Sequence, residues 1–482
     1  MIRSRSWFVV ALTAATGCQA MSSDDPDAAE RAAALTSGSV DLVAVGSLAG
    51  TLADRSAATA GPLENGLAGN LLGGLGSGLA YAGWGRFLAV PDRGPNALSY
   101  DAAVDSTTSY IARFHTIHMR LEPSAPGSAL PLSVIPRLEA TTLLSSRQPL
   151  HYGTGAGLGV GSGEPALNAE RHTNYFTGRS DNFDPTALST DPHNARLDPE
   201  GVRVSNDGLR VYISDEYGPF VYEFSRITGH RLRSFALPPE FAISQLSPQS
   251  DVEIASNTSG RVANKGMEGL AISPDGRTLF GAMQSPLLQD GGTAARFTRI
   301  VTIDTYTGAI QQYAYELTNI GSTAKPKFSA ISEVVAINGH ELLVDERDGK
   351  GRGDNSAAVF KKLFRIDLAG AVDITGLAGE ANLAGKAVAK TLVVDVVAVL
   401  NAHGIANTDI PAKLEGLAFG QDVVIDGVLV HTLWLANDND FVATVVDSNH
   451  PAGADNPNQF FVFAVDEAAL PGFVHQRLWS LF

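Results

Sequence analysis

The stretch from Gly266 to Pro286 reads GMEGLAISPDGRTLFGAMQSP and contains two short apolar segments on either side of a turn. The turn is Ser273-Pro274-Asp275-Gly276, in which proline sets φ, aspartate caps the turn and glycine tolerates a positive φ. Short β-prone segments bounded by such residues are typical of paired strands. The stretch therefore predicts a β-hairpin that is introduced by a Glu-Gly pair.

The same design recurs along the chain, and each copy leads into further strands that turn on glycine and aspartate. Units of about four strands without long helices between them predict an all-β chain folded as a β-propeller. Five copies are read directly, and a sixth blade is predicted to be closed by VDLVAVGSLAG near residue 40 and FVHQRLWSLF at the C-terminus. The other four copies are Gly78 to Val90, Gly201 to Ser214, Ile331 to Val344 and Gly416 to Leu435.

Two segments depart from this repeat. Residues from about 124 to 196 are rich in glycine, asparagine and aspartate and are predicted to be an insertion. The segment 393–404, VVDVVAVLNAHG, has apolar residues at helical spacing and predicts one helix with Gly404 as its C-cap.

Composition limits the kinds of partner. The 482 residues are 44% hydrophobic and only 18% charged, with 49 glycines and 24 prolines, which favours short strands and many turns. The formal net charge of −16 argues against nucleic acid as a partner, because phosphate backbones need basic surfaces. An anionic small molecule could bind only through a bound cation or a local cluster of Arg and Lys.

The N-terminus has the pattern of an export signal: two arginines, a short apolar run and then AATGC. We interpret residues 1–17 as a lipoprotein signal peptide, Cys18 as the lipidation site and residues 18–38 as a tether. The protein would then be anchored by lipid alone in a bacterial periplasm or outer membrane. An ordinary signal cleaved after Ala20, giving a secreted protein, is the alternative.

The repeated stretches together resemble the phytase-like domain of the "esterase-like activity of phytase" proteins. The matching stretches include DPEGVRVSNDGLRVYISDEYGP, NKGMEGLAISPDGRTLFGAMQSP, ISEVVAINGHELLVDERD and KLEGLAFG, and they span residues 70 to 466. The resemblance implies a β-propeller domain over residues 39–482 and an activity on phosphate esters or related esters. The active-site motifs of the calcium-dependent propeller phytases are not found, so no site residue is carried over.

A glutamate precedes the first strand of four copies: Glu200, Glu268, Glu333 and Glu415. In a propeller the first strand lines the central channel, so these carboxylates are predicted to form a ring of like charges at one mouth. Unpaired, they would repel one another, and a bound Ca²⁺, which prefers hard oxygen ligands, would relieve that repulsion. For any one glutamate, acceptance of backbone hydrogen bonds remains an alternative, and proton transfer is a third role, predicted for Glu200, Glu268 and Glu415.

Polar residues also end the second strands. Four acidic residues there are predicted as further metal ligands, and two arginines there as ligands of an anionic substrate, since guanidinium donates in a bidentate manner to phosphate oxygens. Two lysines that precede Glu268 and Glu415 are predicted to add positive charge for the same substrate. Salt bridges between blades are the alternative role. The acidic residues are Asp215, Glu216, Glu346 and Asp438, and the basic ones are Arg93, Arg347, Lys265 and Lys413.

Two functions follow as hypotheses. The first is an exported metal-dependent hydrolase, with calcium as its ion and a small phosphorylated or ester molecule as its substrate. The second is a non-catalytic, envelope-anchored propeller that binds a glycan, a peptide or a protein partner, because no diagnostic nucleophile motif such as Gly-x-Ser-x-Gly is present.

Overall fold

A computed structural model describes residues 38–153, 163–170 and 172–479. These residues form five sheets of four main strands each, which are numbered blades 1 to 5 in chain order. The predicted signal peptide, Cys18 and nearly all of the tether lie outside the described residues. No helix in the described part of the chain combines the length and the apolar character needed to cross a membrane.

Within each blade, neighbouring strands are antiparallel and follow one another from the channel outward. Blade 1 comprises Gly78–Tyr81, Arg86–Val90, Arg113–His118 and Arg137–Leu143, and blade 2 comprises Pro199–Val204, Arg210–Asp215, Phe220–Ser225 and Arg231–Ala236. Blade 3 comprises Met267–Ile272, Thr278–Met283, Phe297–Asp304 and Ile310–Glu316, and blade 4 comprises Ala330–Ala336, Glu341–Arg347, Lys361–Asp367 and Lys390–Asp395. Blade 5 comprises Leu414–Phe419, Val428–Asn437, Asn458–Val465 and Val40–Leu48.

The innermost strands lie side by side in a closed ring, blade 1 against blade 2 and so on until blade 5 meets blade 1. Glycine permits this close approach. A Cβ on Gly201 would lie 2.5 Å from the Cβ of Leu270 in blade 3, and one on Gly416 would lie 3.0 Å from the carbonyl oxygen of Gly76. The glycine of the repeated Glu-Gly pair is therefore a packing requirement between adjacent blades.

The five largest apolar clusters fill the spaces between neighbouring blades. The cluster between blades 1 and 5 contains Phe87, Trp434 and Phe460, and four equivalent clusters follow around the ring. Burial of each such side chain stabilises the fold by about 1.5–3 kcal/mol. Apolar contacts between residues of neighbouring blades, which lie far apart in the sequence, therefore hold the ring together.

The five hairpin copies predicted from the sequence correspond to the five blades, but the predicted sixth blade is wrong. Val40–Leu48 pairs with Asn458–Val465 and becomes the outermost strand of blade 5. The described part of the other predicted strand, residues 473–479, is not a strand. One terminal segment therefore completes an existing sheet, and no separate blade forms among the described residues.

The predicted insertion is shorter than expected, because Arg137–Leu143 is the outer strand of blade 1. The described residues between this strand and blade 2 include the short pair Ser145–Ser146 and Asn174–Tyr175. The other minor pairs are Leu121–Pro123 with Leu132–Val134, Val423–Ile425 with Val428–Asn437, and Thr444–Val445 with Ala454–Asp455.

Three short α-helices lie in the described loops. The helix predicted near 393–404 is confirmed as Val396–Ala402, and Asp395 caps its N-terminus by accepting a hydrogen bond from the N–H of Ala398 at 3.1 Å. The other two are Ser250–Ser256 and Glu380–Leu383. Single 3₁₀ turns span Ala57–Thr59, Ala102–Val104, Ala166–Ala169, Pro239–Phe241, Leu288–Asp290, Gly292–Ala294 and Glu467–Ala469.

Candidate functional site at the upper mouth of the channel

Three of the predicted glutamates meet at the end of the channel where the innermost strands begin, which we call the upper mouth. Glu200, Glu268 and Glu415 stand at β-bulges of blades 2, 3 and 5. At a β-bulge, two residues of one strand lie opposite a single residue of the partner strand, which changes the direction of the side chain at the extra residue. All three glutamates are buried, and one carboxylate oxygen of each lies within 4.8 Å of the others. The three residues predicted as catalytic therefore form one cluster.

Glu333 is not the fourth member of this cluster. The bulge of blade 4 carries Ser332, and Glu333 takes the ladder position that glycine occupies in blade 3. Its Oε2 lies 3.2 Å from Nη2 of Arg203 inside the channel, and its Oε1 accepts a hydrogen bond from the N–H of Leu270 at 2.7 Å. The predicted ring of four equivalent glutamates is wrong for Glu333, because a shift of one residue along a strand turns the side chain to another side.

Arg347 occupies the place that the short Ser332 leaves open. Its Nε donates to Oγ of Ser332 at 2.6 Å, and its Nη2 donates to the carboxylate of Glu415. The same Nη2 lies 3.9 Å from Oε1 of Glu268. A predicted substrate-binding guanidinium therefore faces two of the clustered carboxylates.

Arg93 stands beside a second group of carboxylates. Its Nη1 donates to Asp198 and to the exposed Asn264, and it lies 3.8 Å from Oε2 of Glu216. Asp198, Glu200 and Glu216 each place an oxygen within 4.8 Å of the other two. Glu200 therefore belongs to both groups and joins them.

A third group continues the acidic surface on the blade 5 side. Asp92, Asp438 and Asp440 place oxygens within 4.8 Å of one another. Nζ of Lys413 donates to Asp438 at 2.6 Å and to Asp440 at 2.7 Å. Lys413 therefore lies among carboxylates, and 33% of its side chain is exposed to solvent.

Lys265 reaches the glutamate cluster only through an amide. Its Nζ donates to Oε1 of Gln284 at 3.1 Å, and Nε2 of Gln284 donates to Oε1 of Glu268 at 2.7 Å. This arrangement fixes the orientation of the Glu268 side chain, and the amide of Gln284 stands between the Lys265 ammonium group and the Glu268 carboxylate.

Two predicted metal ligands lie outside the three groups. The carboxylate of Asp215 accepts backbone hydrogen bonds from Asp198 at 3.1 Å and Tyr217 at 3.0 Å, which ties the strand end to the preceding loop. Glu346 points to the other face of its strand and forms an ion pair with Lys390. Both residues have local structural partners, so the structure does not bring them to the glutamate cluster.

Burial and mutual repulsion perturb the carboxyl groups. Loss of hydration raises the pKa of Glu200 well above its usual range, and the charge of Glu268 adds to the shift. Burial, followed by the charge of Glu216, raises the pKa of Glu268 in the same direction. Burial also raises the pKa of Glu216 and of Asp438 to about 7. Near neutral pH these groups therefore bind either protons or a cation.

Glu200 is the most informative member of the cluster. Within the described part of the chain, no hydrogen-bond donor or basic side chain contacts its carboxylate, although the residue is only 6% exposed. A poorly hydrated carboxylate that lacks a hydrogen-bond donor or a positive charge is destabilised in its ionised form, and a bound cation would relieve this. Oxygens bound to opposite sides of one Ca²⁺ lie about 4.6–5.2 Å apart. The separations in the cluster therefore fit a hard cation of this size.

The sequence analysis missed several members of the mouth. Asp198 could have been found, because it stands two residues before Glu200 and period two places both on one side of an extended chain. Asp345 carried no signal beyond its place at the end of a strand. Burial raises its pKa to about 8, and its Oδ2 has no hydrogen-bond partner among the described residues.

The ring of blades and the acidic mouth define the class of this protein: a β-propeller with clustered buried carboxylates at one end of its channel. The chain belongs to the phytase-like family described as "esterase-like activity of phytase", whose model matches residues 70–441. This membership confirms the resemblance drawn from the repeated stretches. It supports a phytase-like hydrolase at the level of the family.

Comparison with individual proteins adds little about chemistry. An uncharacterized secreted protein of Arthroderma benhamiae is 36% identical over 122 residues, which cover 22% of this chain and 23% of that protein. Only about a quarter of the relative's length is therefore matched.

Among solved structures, the periplasmic gluconolactonase of Pseudomonas aeruginosa is 13% identical, with a TM-score of 0.32, over 89% of this chain and 100% of that one. A luciferin-regenerating enzyme is 11% identical, with a TM-score of 0.31, over 81% and 92% of the two chains. These scores are too low to support an argument.

Proposed function

We propose that the protein is an exported, calcium-dependent hydrolase of phosphate esters or related esters, with its site at the upper mouth. Family membership supports a hydrolase, and the secreted relative supports export. The observation that carries the proposal is the convergence of Glu200, Glu268 and Glu415 within 4.8 Å, with the Glu200 carboxylate lacking a partner in the described chain. We also propose lipid attachment through Cys18, which is supported only by the N-terminal sequence pattern.

The charge balance of the mouth explains why an anionic substrate would require a cation. The three groups contain eight different carboxylates, against the four basic residues Arg93, Lys265, Arg347 and Lys413. An isolated phosphate would be repelled by this surplus. Glu200, Glu268 and Glu415 would hold the ion, and when bound it would supply positive charge to polarise a phosphoryl or carbonyl oxygen.

The protein side chains would then divide the remaining tasks. Arg347 and Arg93 present guanidinium groups at two sides of the cluster and would orient the anionic oxygens of the substrate. Glu200 has no hydrogen-bond donor among the described residues, so the carboxylate oxygen that does not hold the ion is the group best placed to accept a proton from an attacking water. Gln284 would keep Glu268 in position through its 2.7 Å hydrogen bond.

One observation favours the non-catalytic alternative. Arg93, Arg347 and Lys413 are already paired with carboxylates, so each must exchange a partner to bind a substrate. A propeller in which the ion serves only to hold three blades together would need no such exchange. This alternative predicts calcium binding without turnover.

The deciding experiment measures binding and turnover on the same purified chain. Calcium binding is followed by calorimetry, and hydrolysis is followed with p-nitrophenyl phosphate, its bis-ester, a short acyl ester and phytate, each with Ca²⁺ or EDTA. We expect calcium-dependent turnover of at least one ester, lost in Glu200→Gln, and calcium affinity at least about tenfold weaker in Glu268→Gln.

The matched control is Glu341→Gln, because Glu341 is a buried glutamate of blade 4 that pairs with Arg365 away from the cluster. It should change neither calcium affinity nor turnover. Calcium binding without hydrolysis of any ester would reject the enzyme and favour the binding propeller. Absence of calcium binding in the unaltered chain would reject the metal site.

A further inference from the structure

The opposite end of the channel, where the innermost strands end, is covered by the last described residues. This lower mouth contains a cavity of about 90 Å³ whose walls include Arg203, Phe473 and Gln476. The covering piece, residues 471–479, is called the C-terminal segment, and it contains no strand or helix. Its hold on the propeller therefore depends on individual contacts.

Those contacts reach several blades. The N–H of Val474 donates to the carbonyl of Ile337 in the loop of blade 4 at 2.8 Å, and the N–H of Trp479 donates to the carbonyl of Asn206 in blade 2 at 2.7 Å. Nε2 of Gln476 donates to the carbonyl of Val204 at 2.7 Å. The C-terminal segment thus crosses the lower mouth from blade 4 to blade 2.

At its blade 5 side, the segment brings a histidine to a second histidine and an aspartate. Oδ2 of Asp422 lies 2.9 Å from Nε2 of His475, and Oδ1 of Asp422 lies 2.9 Å from Nδ1 of His431. The side chains are 46% exposed for His475, 22% for Asp422 and 15% for His431, so solvent reaches the group. One carboxylate is therefore flanked by two imidazoles from distant parts of the chain.

An aromatic ring holds both imidazoles in place. The ring of Phe473 has its centroid 4.5 Å from that of His431 and 4.7 Å from that of His475. Phe473 also packs against Phe419, with ring centroids 4.4 Å apart. The two histidines are thus positioned by packing as well as by their shared aspartate.

We propose that Asp422, His431 and His475 bind a transition-metal ion, with Zn²⁺ as the reference ion, and that this ion fastens the C-terminal segment to blade 5. Two imidazole nitrogens and one carboxylate oxygen are a ligand set for zinc or a neighbouring first-row metal, with a fourth position left for water. Neighbouring ligands of a tetrahedral Zn²⁺ lie about 3.3 Å apart at bond lengths near 2.0–2.1 Å. One ligand atom from each of the three residues lies within 4.8 Å of the other two. The 2.9 Å contacts use different oxygens of Asp422, so the side chains must rotate for one of these oxygens and both imidazoles to reach the same ion.

This group differs from the other acidic groups of the described chain. Among the candidate groups of three found there, it alone contains two histidines. The three groups of the upper mouth consist of carboxylates only, which suit a hard ion such as Ca²⁺. The two ends of the channel would therefore select different metals.

The test uses the purified chain without a histidine tag, stripped of metal, and Zn²⁺ is titrated in the presence of excess Ca²⁺, which competes for the carboxylate groups of the upper mouth. We expect one strong Zn²⁺ site per chain. His431→Gln, His475→Gln and Asp422→Asn should each weaken it by at least about tenfold, since loss of a direct ligand exceeds the 10–100-fold effect of losing a second-shell partner.

The matched control is His403→Gln. His403 also pairs with an aspartate, at 2.7 Å from Asp41, but among the described residues it belongs to no group of three candidate ligands. This variant should bind Zn²⁺ as tightly as the unaltered chain. Zinc should also slow amide hydrogen exchange in the C-terminal segment of the unaltered chain and not in His475→Gln.

A second measurement avoids dependence on variants that fold poorly. The electron paramagnetic resonance spectrum of Cu²⁺ bound to the unaltered chain should show hyperfine coupling to two imidazole nitrogens. Absence of a Zn²⁺ site, Zn²⁺ affinity unchanged in His475→Gln, or a Cu²⁺ spectrum without nitrogen coupling would each overturn the proposal. None of these results depends on hydrolytic activity.

Discussion

Arg203 offers a sharp test of what holds the five blades together. Its guanidinium lies in the channel and donates to the carbonyl oxygens of Leu79 at 2.6 Å, Val334 at 2.6 Å and Leu417 at 3.3 Å, which belong to blades 1, 4 and 5. Its partner Glu333 accepts from Leu270 in blade 3. The pair, which itself spans blades 2 and 4, therefore contacts all five blades. We predict that Arg203→Leu strongly destabilises the protein.

The size of the effect follows from burial. Removal of one partner of a buried ion pair is unfavourable by about 3–5 kcal/mol, because the other charge stays buried and unpaired. Burial already raises the pKa of Glu333 to about 8 with Arg203 present. Without the guanidinium the carboxyl group would stay protonated at pH 7, which limits the loss. We therefore expect the free energy of unfolding to fall by about 3 kcal/mol, the lower end of that range, with the carbonyl oxygens of Leu79, Val334 and Leu417 losing their donor.

Urea unfolding, followed by tryptophan fluorescence, to which the buried Trp434 contributes the change on exposure to water, measures this loss. Arg210→Leu is the control, because its side chain is 44% exposed, its ion pair with Asp207 lies at the surface, and its contact with the buried Glu223 is long at 3.5 Å. That change should lower the free energy of unfolding by less than about 1 kcal/mol.

The double variant Arg203→Leu with Glu333→Leu removes both charges and should be more stable than Arg203→Leu alone. If Arg203→Leu lowers stability by no more than the surface control does, the channel pair does not bind the blades together. If the double variant is less stable than the single one, the unpartnered carboxyl group of Glu333 is not the cause of the loss.

Three further predictions concern other parts of the molecule. Without divalent ions, the melting temperature should fall as pH rises from about 4 to about 7. The reason is that carboxyl groups such as Glu216, with a pKa of about 7, stay protonated in the folded state at pH values where the unfolded chain has lost those protons. Added Ca²⁺ should reverse this fall, and a melting temperature that does not change with pH would contradict the prediction. Gly178→Ala should lower the free energy of unfolding by about 2 kcal/mol or more in urea, because its Cβ would lie 1.6 Å from the carbonyl oxygen of Arg93, whereas Gly339→Ala, with open space around it, should have little effect. Phe473→Ala should speed amide exchange throughout the C-terminal segment, and unchanged exchange would show that the ring does not hold it.

Local features of the fold could be read from the sequence with good accuracy. The hairpin predicted within the stretch Gly266 to Pro286 is observed as Met267–Ile272 and Thr278–Met283, and the predicted helix is observed as Val396–Ala402. These elements depend on turn residues and on short-range alternation or periodicity, which are visible within about ten residues of sequence.

The site was predictable only in part. Recurring Glu-Gly pairs correctly indicated that Glu200, Glu268 and Glu415 share one end of the channel. The similar run ISEVV suggested the same for Glu333, and the error was one residue of register. Which residue of a pair occupies a bulge depends on how the strand meets its neighbour, and no local pattern records it.

By itself, the sequence determined that this chain is a propeller of four-stranded units with acidic residues gathered at one mouth, because strand period, turn chemistry and recurrence are local and repeat five times. The tertiary structure decided the number of blades, the pairing of Val40–Leu48 with Asn458–Val465, the separation of Glu333 from the other glutamates and the position of His475 beside Asp422. Each of these is a contact between residues far apart in the chain. Such contacts are fixed by closure of the ring and by packing between blades, which act only once the whole fold has formed.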